Sequence, residues 1–254
     1  MPRFAANLSM LWPHLPTPIA RLGAAEAAGF EAVEILFVHD LDRREFAAAL
    51  AQRQLRLVLF DAYPGDWAAG ERGLLCHRDE DAFEASVDDA VRHAGELGTG
   101  LINILGGLLP EGLAPQAAQR IAHERLRWAT ETYADAPVCF VVEAINPVDM
   151  PGYLLPTLAA AEALVRAVDR PNLRLQFDAY HVGMTGQEPA TAWREVADLV
   201  AHVQLADVPG RHEPGTGTLD LTGFLAALDD SGYSGWVGLE YHPLDPSAAV
   251  AASW

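Results

Sequence analysis

Four oxygen-bearing side chains stand at the ends of consecutive strand-like runs in the second half of the sequence. The runs are VCFVVE, RLQFD, AHVQ and WVGLE, and they end in Glu143, Asp178, Gln204 and Glu240. The intervals between these residues, 35, 26 and 36 positions, are each about the length of one strand-helix unit. Three carboxylates and an amide are hard oxygen ligands, which suit Mg²⁺ or Mn²⁺ better than a metal that prefers thiolates. We therefore predict that these four residues bind a divalent cation.

One acidic residue at a strand end is more commonly a helix N-cap or a surface charge. Several in consecutive units are difficult to explain in that way, and three crowded carboxylates resist ionising together unless a cation is present. His181 follows Asp178 closely in LRLQFDAYH, so we expect it to reach the same site. Two further residues lie inside strand-like runs. His202 is interpreted as an interior polar group, and Glu34 as either a buried structural charge or a site residue.

Two loops carry further candidates. PGDWAAGERG (64–73) is long and glycine-rich for a connection between elements, which favours a functional loop with Trp67 as part of a lid. DVPGRHEPGTGTLD follows the seventh run and brings Arg211 close to the predicted metal. An anionic substrate needs fixed positive charge in so acidic a protein, and an arginine offers a two-pronged donor for a carboxylate. Arg211 is the preferred candidate for this contact, and Arg72 is its rival.

The elements that position these residues alternate regularly. Eight apolar strand-like runs cover residues 4–11, 32–38, 55–63, 101–107, 138–145, 173–181, 201–208 and 235–243, with helix-forming segments between them. Eight such units in about 250 residues are typical of a (β/α)8 barrel, in which the C-terminal strand ends share one rim. A doubly wound sheet is the alternative, but no G-x-G-x-x-G turn follows the first run. We predict an α/β fold, a single TIM barrel domain over residues 1–254, with a short final helix in PSAAVAASW.

Composition limits the partners and the location. Seventeen basic residues against 35 acidic ones give a formal charge of −18, which repels nucleic acid and anionic lipid. No apolar run approaches the roughly 18 residues that cross a bilayer, and the N-terminus lacks a signal-peptide pattern. Cys76 and Cys139 cannot form a disulfide framework. We expect a cytoplasmic protein that binds neither nucleic acid nor membrane. The sequence allows a homo-oligomer without requiring one.

Several segments together resemble the hydroxypyruvate isomerase family, which belongs to the xylose-isomerase-like barrels. They are RFAANLSMLW, GDWAAGERG, VVEAIN, LQFDAYH, HVQLAD with RHEPGTG, and GWVGLEY, in the same order through nearly the whole chain. The resemblance implies that the four strand-end residues hold a divalent metal and that Glu143 and Glu240 are the catalytic acid/base pair. It also implies that His181 and Arg211 hold substrate oxygens.

This chain departs from the family at two places. The family often has a His-Asn pair just before the lid loop, where this sequence has Phe60 and Asp61. A substrate contact from the third strand is therefore not carried over. The proline that usually follows the glutamate of the fifth strand is Ala144 here, which we interpret as a minor backbone change.

The reaction that the resemblance implies interconverts hydroxypyruvate and tartronate semialdehyde through a cis-enediolate. One hydrogen moves between adjacent carbons, so two carboxylates and a divalent cation suffice and no redox cofactor is needed. The expected partner is a small anionic 2-oxo acid or a sugar-like molecule. The family also includes 2-oxo-tetronate isomerases, and the sequence does not separate the two substrates. A ketose 3-epimerase and a sugar-binding protein without catalysis stay open, whereas the negative charge argues against a nuclease.

Overall fold

Eight parallel strands form a closed barrel in sequence order in the computed structural model, which describes residues 2–246. Each strand pairs with the next one along the chain, and the first pairs with the last. The strands are β1 (Arg3–Asn7), β2 (Ala32–Phe37), β3 (Arg56–Asp61), β4 (Leu101–Asn103), β5 (Cys139–Glu143), β6 (Leu173–Asp178), β7 (Val200–Leu205) and β8 (Trp236–Leu239). This architecture confirms the predicted (β/α)8 barrel fold.

Helices follow the strands and cover the outside of the barrel. They are α1 (Pro18–Ala27), α2 (Arg43–Gln52), α3 (Glu80–Leu97), α4 (Pro115–Thr132), α5 (Leu158–Val168), α6 (Ala179–Met184), α7 (Pro189–Val196) and α8 (Leu221–Asp230), with a 3₁₀ turn at Ala197–Leu199. Local sequence explains several of the helix ends. Asp42 and Asp79 accept hydrogen bonds from the first turns of α2 and α3, and Gly98 ends α3 with a φ of 70°.

The period-2 pattern of β6 separates the two faces of the barrel wall. Phe177 points outward, where its ring centroid lies 5.6 Å from that of Trp193 in α7 and 5.4 Å from that of Phe224 in α8. Gln176 and Asp178 alternate with it and are buried inside the barrel. The apolar residues of the strand therefore form the core against the helices, while its polar residues project into the barrel interior.

The observed strands are shorter than the strand-like runs of the sequence. The run 173–181 contains both β6 and the start of α6, because the backbone N–H of Tyr180 donates to Asp178 Oδ1 (2.8 Å) and this bond caps the helix. The run 101–107 contains only three strand residues before the chain turns away from the barrel. β8 ends one residue before Glu240.

Two other features of the chain concern membrane spans and the C-terminal segment. Among the described residues, no helix is both long and apolar enough to cross a lipid bilayer. The short final helix predicted in PSAAVAASW lies outside the described residues, apart from Pro246.

Candidate active site

Three acidic side chains form one buried cluster at the C-terminal rim of the barrel. Glu143 ends β5, Asp178 ends β6 and Glu240 follows β8, and all three are buried. Arg211 Nη2 lies 3.0 Å from Asp178 Oδ2 and 3.0 Å from Glu240 Oε1. His181 Nε2 lies 3.6 Å from Asp178 Oδ2 and 3.8 Å from Glu143 Oε1. The structure thus brings five residues that the sequence singled out into mutual contact, which we call the acidic cluster.

Gln204 lies beside Asp178 in the register of β7 and β6, but its amide bonds to other residues of the barrel interior. Gln204 Nε2 donates to Glu34 Oε1 (2.9 Å), and Gln176 Nε2 donates to Gln204 Oε1 (2.6 Å). The amide is therefore held on both sides by interior polar groups. Among the described residues, its side chain has no hydrogen bond to a carboxylate of the acidic cluster.

Glu34 is the centre of a polar layer inside the barrel. Its carboxylate accepts hydrogen bonds from Asn7 Nδ2 (2.9 Å) and Gln204 Nε2 (2.9 Å), and His202 Nε2 lies 2.6 Å away. Gly238 of β8 lies against this carboxylate, and a Cβ added there would lie 2.2 Å from Glu34 Oε2. A glycine is therefore needed to accommodate this carboxylate. Glu34 is a buried, hydrogen-bonded structural charge, and His202 is its interior partner.

Asp178 uses its two oxygens for different tasks. Oδ1 accepts the Tyr180 N–H that caps α6, while Oδ2 faces Arg211 and His181. The N-cap role that is common for an acidic residue at a strand end and the predicted site role are therefore compatible. The cap also fixes the rotamer of the side chain, because Oδ1 cannot turn away without losing the hydrogen bond at the helix N-terminus.

Asn146 determines which nitrogen of His181 carries the proton. Asn146 Oδ1 accepts the backbone N–H groups of Val148 and Asp149 (3.0 Å each), so its amide nitrogen must face His181 Nδ1, 2.7 Å away. Nδ1 is then an acceptor, and the proton of a neutral imidazole lies on Nε2. Burial, and secondly the charge of Arg211, lower the pKa of His181 well below its usual value. His181 is thus a neutral imidazole with an N–H directed at the acidic cluster.

The single positive charge of Arg211 does not balance the three carboxyl groups of the cluster. Burial raises the pKa of Glu143 well above its usual value, and the nearby Glu240 raises it further. Burial also raises the pKa of Glu240 by more than Arg211 lowers it. Burial lowers the pKa of Arg211, but Glu240 and Asp178 outweigh that effect, so the guanidinium stays charged. One guanidinium faces three carboxyl groups, and the site favours either bound protons or an additional cation.

Part of the cluster has the geometry of a metal site. Glu143, Asp178 and His181 each offer a ligand atom, and the three atoms lie within 4.8 Å of one another. Because His181 Nε2 carries a proton, the carboxylates are the better ligands of the three. Buried carboxylate oxygens that lack enough positive charge are suited to a hard divalent cation.

The loop 64–73 lies beside the barrel mouth and is held by its own contacts. The guanidinium of Arg72 stacks over the Trp67 ring at 4.2 Å and donates to the carbonyl of Trp67 (2.9 Å). Trp67 also packs on Phe37 of β2 with 5.3 Å between ring centroids, and it is 40% exposed. Neither Trp67 nor Arg72 contacts the acidic cluster in the described part of the chain. Arg72 therefore stabilises the loop in this conformation.

Two asparagines that the sequence interpretation did not assign also face the barrel mouth. Asn146 orients His181, and the only local signal for it is its place in VVEAIN, three residues after Glu143. Asn103 ends β4 and donates from Nδ2 to Asp61 Oδ1 (3.0 Å) at the end of β3. Both asparagines stand just after or at the end of an apolar strand, which is the pattern that identified the acidic residues.

The fold and the sequence both match known proteins. The family model of the xylose isomerase-like TIM barrels matches residues 22–254. A 2-oxo-tetronate isomerase of Cupriavidus necator is 38% identical over 244 residues, which are 96% of this chain and 94% of that protein. A hydroxypyruvate isomerase of Escherichia coli is 37% identical with the same coverage. A crystal structure described as an AP endonuclease, family 2, from Brucella melitensis has a TM-score of 0.93 and 38% identity, and the match covers 96% of this chain and 95% of that one.

Proposed function

The chain belongs to the xylose isomerase-like TIM barrel family and is an isomerase, and we propose that it interconverts hydroxypyruvate and tartronate semialdehyde (2-hydroxy-3-oxopropanoate). The observation that carries this proposal is the acidic cluster, in which two glutamates and one arginine share a buried pocket at the barrel rim. Active sites of such barrels lie at this rim. The chemistry of the substrate matches the cluster, because the reaction needs a proton carrier on each of two carbons and a receptor for a carboxylate.

Glu143 and Glu240 are the proposed proton carriers. One carboxylate removes a proton from C3 of hydroxypyruvate, the other carboxyl group returns a proton to C2, and the hydroxyl proton passes from O3 to O2, so the carbonyl and hydroxyl exchange places. Burial raises the pKa of both glutamates, and a carboxylate with a raised pKa is a stronger base toward a carbon-bound proton. Both side chains come from strand ends of a closed barrel, which holds them in fixed positions.

His181 and Arg211 are the proposed substrate-binding residues. The Nε2–H of His181 donates to an oxygen on one of the reacting carbons, where negative charge develops as the proton leaves. Arg211 binds the substrate carboxylate through its planar guanidinium. The side chain of Arg211 is 16% exposed, so part of it reaches the opening of the pocket. Trp67 and Arg72 are proposed to close the loop 64–73 over the bound substrate.

The donor set of the pocket fits a divalent cation, Mg²⁺ or Mn²⁺. Glu143, Asp178, Gln204 and Glu240 would hold it, with three carboxylates and an amide oxygen as hard ligands. When bound, the cation supplies positive charge that stabilises oxygen atoms on the reacting carbons. To serve as a ligand, Gln204 must exchange its bond from Gln176 for the cation, while its bond to Glu34 can stay.

A different covalent route to the same isomerisation is excluded by composition. Carbonyl compounds can be activated as a Schiff base on a lysine amine. All 17 basic residues of this chain are arginines, and the sequence contains no lysine. The lysine Schiff-base route is therefore closed, and we propose that the two carboxylates carry protons to and from the substrate carbons directly.

The experiment that tests the proposal is isomerisation of hydroxypyruvate in D₂O with Mn²⁺ present. We expect tartronate semialdehyde with deuterium at C2, observed by NMR, because the returned proton exchanges with solvent on a carboxyl group. The same assay with 2-oxo-tetronate tests the second candidate, which the relative from Cupriavidus necator supports. A ketose 3-epimerase would instead return its substrate with one inverted carbon. The absence of any product from both 2-oxo acids would contradict the proposal.

A further inference from the structure

Asp61 and Asn103 form a buried polar pair on the barrel wall that faces the reacting groups. They end β3 and β4, are paired in register, and are 4% and 1% exposed. Both side chains lie on the interior face of the barrel, where β4 neighbours β5 and Asn103 is level with Val141, two residues before Glu143. When ionised, Asp61 raises the pKa values of Glu143 and Glu240, which places its carboxyl near theirs at the same rim.

The pair has unused hydrogen-bonding capacity. Asn103 Nδ2 donates to Asp61 Oδ1 (3.0 Å), but Asn103 Oδ1 is buried and has no partner among the described residues. Rotating the amide by 180° exchanges its two polar atoms and still leaves one of them unpaired. A buried amide atom without a partner is unfavourable by about 1–3 kcal/mol. Such an atom in an enclosed site indicates a ligand group that completes it.

We propose that Asp61 and Asn103 bind a hydroxyl group of the substrate that lies beyond the two reacting carbons. This inference rests on the proposed function for the position of those carbons. In the closed strand order, β3 and β4 lie opposite β7 and β8, between which Arg211 enters the pocket. A substrate with its carboxylate on Arg211 and its reacting carbons between the glutamates extends its far end toward Asp61 and Asn103.

The two side chains can form hydrogen bonds with both the hydrogen and the oxygen of a hydroxyl group. Asn103 Oδ1 accepts the hydroxyl hydrogen, and Asp61 lies within reach to donate to the hydroxyl oxygen when its carboxyl is protonated. Burial, with a smaller contribution from Glu34, raises the pKa of Asp61 to about 8, although Asn103 opposes the shift. This shift favours the protonated form of Asp61 at neutral pH. An aspartate in this state offers a donor that a carboxylate cannot.

Hydroxypyruvate has no hydroxyl beyond its reacting carbons, since its C3 is the last carbon. A 2-oxo-tetronate has one on C4. The pair on β3 and β4 therefore strengthens the binding of a four-carbon 2-oxo acid, while the three-carbon acid still reaches the glutamates without this contact. The competing interpretation is a purely structural pair completed by a trapped water molecule, which would leave binding indifferent to the C4 hydroxyl.

Two unreactive acids that differ by a single hydroxyl test this inference. Erythronate has hydroxyl groups on C2, C3 and C4. In 2,3-dihydroxybutanoate, C4 is a methyl group and carries no hydroxyl. We expect the Mn²⁺-loaded enzyme to bind erythronate about tenfold more tightly in isothermal titration calorimetry, as one buried hydrogen bond allows. Equal affinities for the two acids would overturn the inference, and that result needs no variant protein.

Variants then assign the effect to the pair. Asn103→Leu removes the free acceptor at similar volume, and we expect it to make the two acids bind equally. Asp61→Asn keeps a donor at the same place and should retain most of the difference. A loss of affinity for both acids alike in Asn103→Leu would mean that the residue supports the fold, and it would contradict a hydroxyl contact. Thermal denaturation of each variant verifies that the barrel is intact.

Turnover separates this inference from the proposed function. Asn103→Leu should lower kcat/KM for 2-oxo-tetronate about tenfold more than it lowers kcat/KM for hydroxypyruvate. An enzyme that isomerises hydroxypyruvate but binds the two unreactive acids equally keeps its proposed function and has no such subsite. An enzyme that distinguishes the two acids but isomerises neither 2-oxo acid has the subsite and a different reaction.

Discussion

Among the described residues, Arg211 is the arginine that contacts the acidic cluster, and its backbone conformation is unusual. Its φ is +56°, which a residue other than glycine rarely adopts, and its carbonyl accepts the N–H of His242 (2.8 Å). The loop therefore holds the residue where its guanidinium bridges Asp178 and Glu240. A residue held in a strained conformation beside a cluster of carboxyl groups is consistent with a functional role.

The two glutamates are tested by amide substitution. We expect Glu143→Gln and Glu240→Gln each to lower kcat by at least ~10²-fold, because an amide cannot carry the proton that the reaction transfers. Each residue is also a proposed metal ligand, so kcat is compared at saturating Mn²⁺, with metal affinity measured separately. A variant that stays within a few-fold of the wild-type rate under these conditions would remove that glutamate from the proposed proton path.

Arg211→Ala is expected to raise KM for hydroxypyruvate about tenfold or more, since it removes a charge-assisted contact of about 1.5–3 kcal/mol. A neutral analogue such as dihydroxyacetone should be affected much less. Arg127→Ala is the matched control, because Arg127 is exposed on α4, where it pairs with Glu131, and has no described contact with the cluster. Equal losses for the charged and neutral substrates in Arg211→Ala would indicate that the residue supports the loop instead.

At the scale of elements, the strands place the site and a polar layer supports it. Glu34 on β2, Gln204 on β7 and Gly238 on β8 meet inside the barrel, where the two side chains form a direct hydrogen bond next to the glycine. A bulkier residue at the glycine would push on Glu34 and, through it, on Gln204. The packing of β8 against β2 therefore depends on the absence of a side chain at one position.

Gly238→Ala tests that dependence. The added Cβ would lie 2.2 Å from Glu34 Oε2, so the carboxylate must move and strain its hydrogen bonds to Asn7 and Gln204, and overpacking of this kind destabilises by about 1–3 kcal/mol. Gly95→Ala is the matched control, because an added Cβ meets no atom within 4 Å and the residue lies in α3. It should stabilise the protein by about 0.5–1 kcal/mol through helix propensity. Urea denaturation measures both changes, and an unaffected midpoint for Gly238→Ala would contradict the tight packing of Glu34.

At the scale of the whole molecule, a strongly acidic chain encloses a site with too little positive charge. The formal charge is −18, and three of the carboxyl groups that contribute to it lie together in the acidic cluster. A bound divalent cation reduces the repulsion among the carboxyl groups of the cluster, and it also lowers the net negative charge of the whole protein. Metal binding is therefore expected to affect the stability of the barrel as well as its activity.

Removal of divalent ions with a chelator should abolish turnover, and Mg²⁺ or Mn²⁺ should restore it. The same ions should raise the melting temperature of the wild-type protein, since a ligand that binds only the folded state stabilises it. Asp178→Asn is expected to reduce that increase. Full activity in a preparation that elemental analysis finds free of metal would contradict the proposed ligand set.

One structure that resembles this fold is described as an AP endonuclease, and the charge of this chain indicates whether it can bind DNA. A protein that binds duplex DNA must neutralise several phosphates with arginine or lysine. This chain has 35 acidic and 17 basic residues, so we expect no binding or cleavage of abasic-site DNA at about 0.15 M salt. Gel-shift and cleavage assays with Mg²⁺ check this expectation, and specific cleavage would revive the nuclease alternative.

The sequence by itself determined the fold and the strand ends that carry the acidic cluster. Both follow from local patterns, because a strand-helix unit buries its apolar face in a periodic way and parallel strands in a barrel end at one rim. The position of Glu143, Asp178 and Glu240 could therefore be predicted from the ends of apolar runs. The family resemblance added the expected roles of His181 and Arg211.

Only the tertiary structure decided how these groups act on one another. Arg211 pairs with Asp178 across 33 positions of sequence, and Asn103 pairs with Asp61 across 42. The proton position on His181 depends on Asn146, which lies 35 positions earlier in the chain and is oriented by the backbone N–H groups of Val148 and Asp149. Such pairings depend on which strands become neighbours when the barrel closes, and on which groups are then removed from water. A local pattern contains neither the neighbour nor the burial, so the hydrogen-bond directions and the shifted pKa values were determined by the folded barrel.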